Sequence, residues 1–320
     1  MKTDEQKYFS NNPIIIDADD NTAVENQTEG EVPVITIESD DAEEVASGTV
    51  VRKRHTWLWR VCAVLSVVVV CCVLFAAWRC YRYYYAIGVP ISVSPKENIA
   101  KLERPVNKKE KAAVVMTQDS ILGVALNFYS LQGLRAELTT HEPDSADTDV
   151  MFYSRSADYT NEGKYIGSMV MQGKELRSDV SRLGYCAMAN GNIVIGVSRS
   201  DRVKDYCEEQ GGSFFRQFIL LSGGVVPSRF YLHGKVERRA IGRMADDHLY
   251  YIETRHKETL WDFADALREY GFVDAVYITG GTCYTYYRNA EGEVVGIGDP
   301  ENHPDKSHLS FVPWMVFRQR

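Results

Sequence analysis

The residues best equipped for chemistry fall in three short segments of the second half of the chain. In "GKVERRAIG" (234–242), Lys235, Glu237, Arg238 and Arg239 crowd one strand-like stretch. Strand alternation places Lys235, Glu237 and Arg239 on one face and Arg238 with Ala240 on the other. An arginine on the inward face needs an anion, because a guanidinium binds phosphate or carboxylate as a fork. Arg238 is therefore a candidate for an anionic ligand, and an internal ion pair is the alternative. In "DAVYITGGTCYTYYR" (274–288), an apolar run ends on Gly280 and Gly281, with Thr279 before the pair and Thr282 after it. Glycines at such a place let the main chain come close to an anion. In the third segment Glu258, Asp262 and Asp265 are spaced i, i+4 and i+7 on a helix. They either aim a carboxylate toward a cleft or form the helix's solvated face. Asp265 lies nearest the apolar stripe.

Other chemistries lack their motifs. No phosphate-binding P-loop, no GxGxxG after a strand, no HExxH and no GxSxG occurs. His303 and His308 stand in the polar stretch "ENHPDKSH" without the three or four convergent ligands a metal site needs, so neither metal nor cofactor is expected. Cys186, Cys207 and Cys283 form no CxxC pair. One disulfide among them would require an oxidising compartment; three buried thiols is the other reading. The formal charge of -8 is concentrated in residues 1–50, where thirteen acidic residues face Lys2 and Lys7. The remainder holds 34 basic and 31 acidic residues, no basic stripe, and thus no expectation of nucleic-acid binding.

The elements that must position these residues are legible from patterning. Leu260, Phe263, Ala264, Leu267 and Tyr270 recur at helical spacing over 257–270, and Gly271 ends the helix. Short strands are expected at 192–198, 217–224, 229–236, 248–254 and 273–279, separated by turn residues. Many strands and few helices make an α+β body of multi-stranded sheets.

Upstream, "VCAVLSVVVVCCVLFAAW" (61–78) is uncharged and fenced by Arg60 and Arg79. About 20 such residues cross a hydrocarbon core. The run begins some sixty residues into the chain and is followed by "WRCYRYYY" rather than a cleavage site, so it reads as a retained signal anchor. Trp57, Trp59, Trp78 and Tyr81 suit the two headgroup boundaries. The excess of Arg52, Lys53, Arg54 and Arg60 on the N-terminal side leaves the tail in the cytoplasm and the body outside, in the periplasm if the host has two membranes. The organisation expected is a disordered acidic tail (1–55), a transmembrane helix (56–85), a juxtamembrane linker (86–111) and the α+β domain (112–320). The tail's "PIIID" and "PVITIESDD" could add as strands to a cytoplasmic partner's sheet, or are sticky stretches guarded by charge.

Taken in order, "RRAIG" (238–242), "ETLWDFADALREYGFVDA" (258–275), "YITGGTC" (277–283) and "SFVPWMVFR" (310–318) resemble the phosphodiester glycosidase family, of the uncovering-enzyme-like group. The chain resembles a bacterial membrane-anchored member. Residues 167–196 are similar to the family's earlier strands, and "ALNFYS" (125–130) echoes its Asn-Gly-Gly-Phe-Phe segment, with Asn127 retained. The resemblance implies cleavage of a sugar-1-phosphate diester or a related surface-glycan linkage at the anomeric carbon. Such chemistry uses a carboxylate against an oxocarbenium-like centre and donors for the phosphate. It implies Arg238, Asn127, Thr279, Gly280, Gly281 and Thr282 as substrate-binding residues. The family's loop Asp falls on Thr279 and its third Gly on Thr282, so the carboxylate must come from elsewhere, with Glu253 and Asp265 as candidates. The alternative is a non-catalytic glycan-binding or scaffold module, to which Tyr284, Tyr286 and Tyr287 would offer rings.

Overall fold

The computed structural model describes residues 52–85, 87–92, 95–106, 111–158, 164–298 and 312–320. The acidic tail to residue 51, its two β-branched runs, and His303 and His308 lie outside the described residues. Two compact units divide at Cys62. Of the first, only residues 52–62 are described, and they are helical.

Along the chain, α1 (Arg52–Tyr85) and α2 (Lys96–Leu102) precede β1 (Ala113–Ile121), β2 (Val124–Gln132), β3 (Leu134–Thr139) and β4 (Val150–Arg155). Next come β5 (Met169–Met171), β6 (Lys174–Arg177), β7 (Gly184–Ala189), β8 (Asn192–Val197), α3 (Arg202–Glu209), β9 (Ser213–Gln217) and β10 (Ile219–Leu221). The last group is β11 (Arg238–Met244), β12 (Leu249–Thr254), α4 (Leu260–Tyr270), β13 (Phe272–Gly280), β14 (Thr285–Arg288), β15 (Val294–Ile297) and β16 (Trp314–Gln319). The fold is α+β: three antiparallel sheets, ordered β1-β2-β12-β11-β13-β10, β15-β14-β4-β16-β3 and β6-β5-β9-β7-β8.

The sheets share one core. Tyr129, Ile241, Tyr251 and Val276 of the first sheet meet Phe152, Met315 and Phe317 of the second and Cys186, Ile195 and Phe215 of the third. The opposite face of the first sheet is covered by α4, whose Leu260, Phe263, Ala264 and Leu267 pack on Phe128, Ala240, Ile252 and Phe272. The helix starts at Leu260 because Thr259 caps it, its hydroxyl accepting from the Asp262 amide at 3.0 Å. It stops at Gly271, whose φ of 109° suits a residue without Cβ. Being covered on both faces, β11 reads as five successive buried residues from Arg238 to Gly242.

The stretch 229–236, expected as a strand, forms only an isolated bridge between Val236 and Glu258. Phe230 is buried against Trp261, but the alternation does not continue: Tyr231 is 67% exposed, and Gly234 turns the chain at φ 94°. The segment expected as a juxtamembrane linker contains α2 and buries Val89, Ile91 and Leu102. Within α1, Trp57–Tyr84 is long and apolar enough to cross a membrane; its most apolar 18-residue window has mean hydropathy 2.8 and is not buried. Below it, the Tyr84 carbonyl accepts from the Ile91 amide at 2.9 Å, and the Ile87 carbonyl from the Ser228 amide at 2.8 Å.

Candidate functional site

The Gly-Gly loop ends β13, and the pairing of β13 with β11 sets its shape. Arg238 is opposite Gly280 and Ala240 opposite Tyr277, so an irregularity places Ile278 and Thr279 against the single residue Arg239. Bulges of this kind re-aim side chains at sheet ends. Here Thr279 turns toward the chain leaving β4. Its hydroxyl donates to Asp158 Oδ1 at 2.7 Å, and the Gly280 amide donates to the same oxygen at 3.0 Å. No described residue hydrogen-bonds Asp158 Oδ2. Thr279 to Cys283, Arg155, Asp158 and Pro313 line a cavity of about 300 Å³, the lower end of the range for small-ligand pockets.

Asp158 thus places a carboxylate beside Thr279, where the family resemblance asks for an acid. Burial pushes its carboxyl above the usual carboxylate range, against the opposing effects of the Thr279 and Gly280 donors and of the Arg238 and Arg239 charges. Sequence reasoning missed it. The available signal was weak: an acid three residues beyond the end of an apolar strand, in "VMFYSRSAD", carries no motif.

Both carboxylates singled out from sequence sit elsewhere. Asp265 is 40% exposed on the outer side of α4 and pairs with Arg268 at 2.9 Å. The other two acids of the spacing are also engaged: Asp262, in the first turn of α4, accepts from the Thr259 hydroxyl at 2.7 Å, and Glu258, which precedes the helix, faces Lys235 at 3.6 Å. Glu253 is buried in the first sheet, in register with Asn127 of β2 and Arg239 of β11. Its Oε1 accepts from Asn127 at 2.9 Å and from the Tyr129 hydroxyl at 2.6 Å; its Oε2 accepts from Thr285 at 3.0 Å and lies 3.6 Å from Arg239 Nε. Gln118 of β1 donates to Asn127 at 2.9 Å. A polar row therefore crosses four strands, from Gln118 through Asn127 and Glu253 to Arg239, and ends where Arg239 donates to the Gly281 carbonyl. The row anchors the loop from inside the core; neither Asn127 nor Glu253 lines the cavity.

The phosphate cradle expected from Arg238 and the two glycine amides is occupied by the protein itself. Arg238, 1% exposed on the α4 face, donates to the Glu258 carbonyl at 2.9 Å, the Gly234 carbonyl at 2.7 Å and the Tyr277 hydroxyl at 3.3 Å. The Gly280 amide is given to Asp158, and that of Gly281 to the Glu237 carbonyl at 3.0 Å. The glycines are required by internal geometry. A Cβ on Gly280 would lie 2.5 Å from the Tyr277 hydroxyl and 2.9 Å from Val236, while Gly281 has φ of 80°. Gly281→Ala has open space around its Cβ and is expected to destabilise by about 1–2 kcal/mol, the backbone term alone. Gly280→Ala carries no such backbone term but must displace the buried Tyr277 and Val236, and should shift a denaturation midpoint further than Gly281→Ala. Arg155, 6% exposed, also lines the cavity.

Among the described residues, no cluster of three His, Cys, Asp or Glu side chains could hold a metal ion. Cys186 and Cys207 are buried free thiols, each pushed up by burial, Cys207 to about 12. Cys283 is free and lies in the cavity wall, its sulfur 3.5 Å from the Ser154 hydroxyl.

No protein-family model and no curated protein sequence matches the chain. Among solved structures, the catalytic domain of zebrafish N-acetylglucosamine-1-phosphodiester alpha-N-acetylglucosaminidase, auto-inhibited by its pro-peptide, is similar with a TM-score of 0.46 and 12% identity, over 68% of this chain and 85% of that one. A hypothetical protein from Synechocystis is similar with a TM-score of 0.47 and 8% identity, over 65% of this chain and 62% of that one.

Proposed function

We propose that the domain is a membrane-anchored glycosidase whose carboxylate is Asp158, acting on a sugar-1-phosphate diester or a related surface-glycan linkage. The observation that carries this reading is the Asp158 carboxyl at the cavity wall, its Oδ1 held by Thr279 and Gly280 while no described residue hydrogen-bonds Oδ2. Asp158 from the end of β4 takes over the part that the resembling family gives to the residue at position 279. An ionised carboxylate stabilises or attacks an oxocarbenium-like centre, and a departing phosphate needs little help from a general acid. In this reading α1 anchors the domain with the acidic tail in the cytoplasm, where the tail is free to recruit a partner.

The test is sugar release from a panel of glycosyl phosphodiesters by the full-length protein in detergent. Absence of release from every member, by protein that remains folded, would remove the enzymatic reading. Thr279→Val supplies a sharper readout. Removing the hydroxyl takes away a donor that lowers the Asp158 pKa, so the acid limb of kcat/KM should move to higher pH, while activity on the alkaline plateau changes little. An unmoved acid limb would mean that Asp158 is not the titrating group.

One observation favours a second reading, a glycan-binding module without catalysis: the arginine and both amides expected to hold the phosphate are bonded within the protein. Binding of the same glycosides, measured calorimetrically, without turnover would select it.

A further inference from the structure

A larger cavity, of about 680 Å³, lies at the C-terminal end of the membrane-length helix. Its wall brings Trp78, Tyr81 and Arg82 of α1 together with Arg182, Arg199 and Arg229 of the body. Among the described residues lining it there are four arginines and no Asp or Glu. Four like charges around one space repel one another unless an anion enters.

Their local partners leave that demand open. Arg182 stacks on Phe218 at 4.2 Å and donates to the Ser181 carbonyl at 3.5 Å, its buried Nε has no hydrogen-bond partner, and it feels the charges of Asp179 and Asp158, which lie outside the cavity wall. Asp179 is itself bonded to Arg177 at 3.0 Å. Arg199 gives its Nε to the Tyr83 carbonyl at 3.1 Å and lies over the Tyr83 ring at 5.3 Å, while Arg82 lies over Trp78 at 5.2 Å. These contacts aim the guanidinium groups at the helix end rather than neutralising them. The rim is apolar and exposed: Val180 is 54% exposed and Tyr231 67%, both lining the cavity, with Leu232 following. An arginine-lined hollow with an aromatic and aliphatic rim, at the end of an apolar helix, has the two halves of an amphiphile's chemistry.

We propose that this cavity binds the phosphate headgroup of an anionic membrane lipid, with its acyl chains lying along α1 and the exposed rim. The site is separate from the Asp158 cavity and does not depend on hydrolysis there. It does rest on α1 spanning a bilayer. The rim residues Val180 and Tyr231 would then meet the interface, which accounts for large apolar side chains left in solvent.

The experiment is native mass spectrometry of the full-length protein in detergent, titrated with phosphatidylglycerol or phosphatidylcholine. Phosphatidylglycerol adducts are expected to form at lower lipid concentration than phosphatidylcholine adducts. Arg229→Gln, an exposed position that should not disturb folding, is expected to weaken the anionic lipid about fivefold, and Arg182→Gln at least as much. Arg79→Gln, on α1 but outside the cavity wall, serves as the control for lipid gathered around the helix and should change little. Equal binding of the two lipids, or an equal loss in Arg79→Gln, would overturn the proposal. Displacement of the lipid by millimolar inorganic phosphate would overturn it too, assigning the site to a free anion. Extraction of the protein from membranes by alkaline carbonate would instead refute the span, so the two failures are distinguishable.

Discussion

Asp158→Asn is expected to abolish sugar release, by at least about 10²-fold, while leaving the protein at neutral pH as stable as the parent or more so. Both halves follow from one environment. The amide oxygen of Asn can still accept from Thr279 and Gly280, so the cavity wall keeps its shape, but the charge that faces a developing cation is gone. For stability the sign is set by the raised folded-state pKa. The folded protein holds the Asp158 proton more tightly than the unfolded chain does. Stability therefore falls as pH rises from about 4 through the folded value, and above that value the whole penalty is present. An amide cannot ionise, so the variant's unfolding free energy should be flatter over that window. Activity equal to the parent would remove Asp158 from the chemistry. A large loss of stability along with activity would make it a structural residue.

Glu253→Leu is expected to do the opposite, destabilising the fold by about 3–5 kcal/mol. The substitution leaves Arg239 charged and buried with only the Gly281 carbonyl, and it strands the Asn127, Tyr129 and Thr285 donors that the carboxylate satisfies. Arg239 Nε already lacks a hydrogen bond, so its charge depends on this carboxylate. A domain's whole stability is about 5–15 kcal/mol, so the variant should show a thermal midpoint lower by on the order of 10 °C. Glu253→Gln keeps an acceptor and the shape, and should lose less. Its folded fraction should retain hydrolysis, because Glu253 does not line the cavity. Loss of activity in a fully folded Glu253→Gln would instead place Glu253 in the chemistry and reverse the roles drawn for the two carboxylates.

The two variants mark where sequence reading stopped. Helix α4 was legible, since its buried Leu260, Phe263, Ala264 and Leu267 repeat at 3.6-residue spacing and Gly271 ends it, although its start at Leu260, set by the Thr259 cap, was expected three residues earlier. Strands β8, β12 and β13 were legible as apolar runs bounded by turns. The false strand at 229–236 had the same local pattern, but beyond the bridge at Val236 no described strand pairs with it and Tyr231 and Leu232 stay exposed, which no local pattern encodes. Glu253 and Asp265 were weighed as catalytic acids because each is an acid near an apolar pattern; whether such an acid is solvated, paired or aimed into a cavity depends on strands far away in sequence.

By itself, the sequence determined the long apolar helix, the α+β alternation of short strands with an amphipathic helix, and the Gly-Gly loop at a strand end. Each is a short-range property, carried by periodicity and by the backbone freedom of glycine. Only the tertiary structure decided which acid stands beside Thr279, because Asp158 and Thr279 are 121 residues apart and meet through a bulge between two strands. It also decided that Arg238 and the glycine amides are spent on the protein's own carbonyls and on Asp158. A buried guanidinium or amide takes whichever acceptor the packing brings within hydrogen-bond distance, and that choice is made by the assembled sheets.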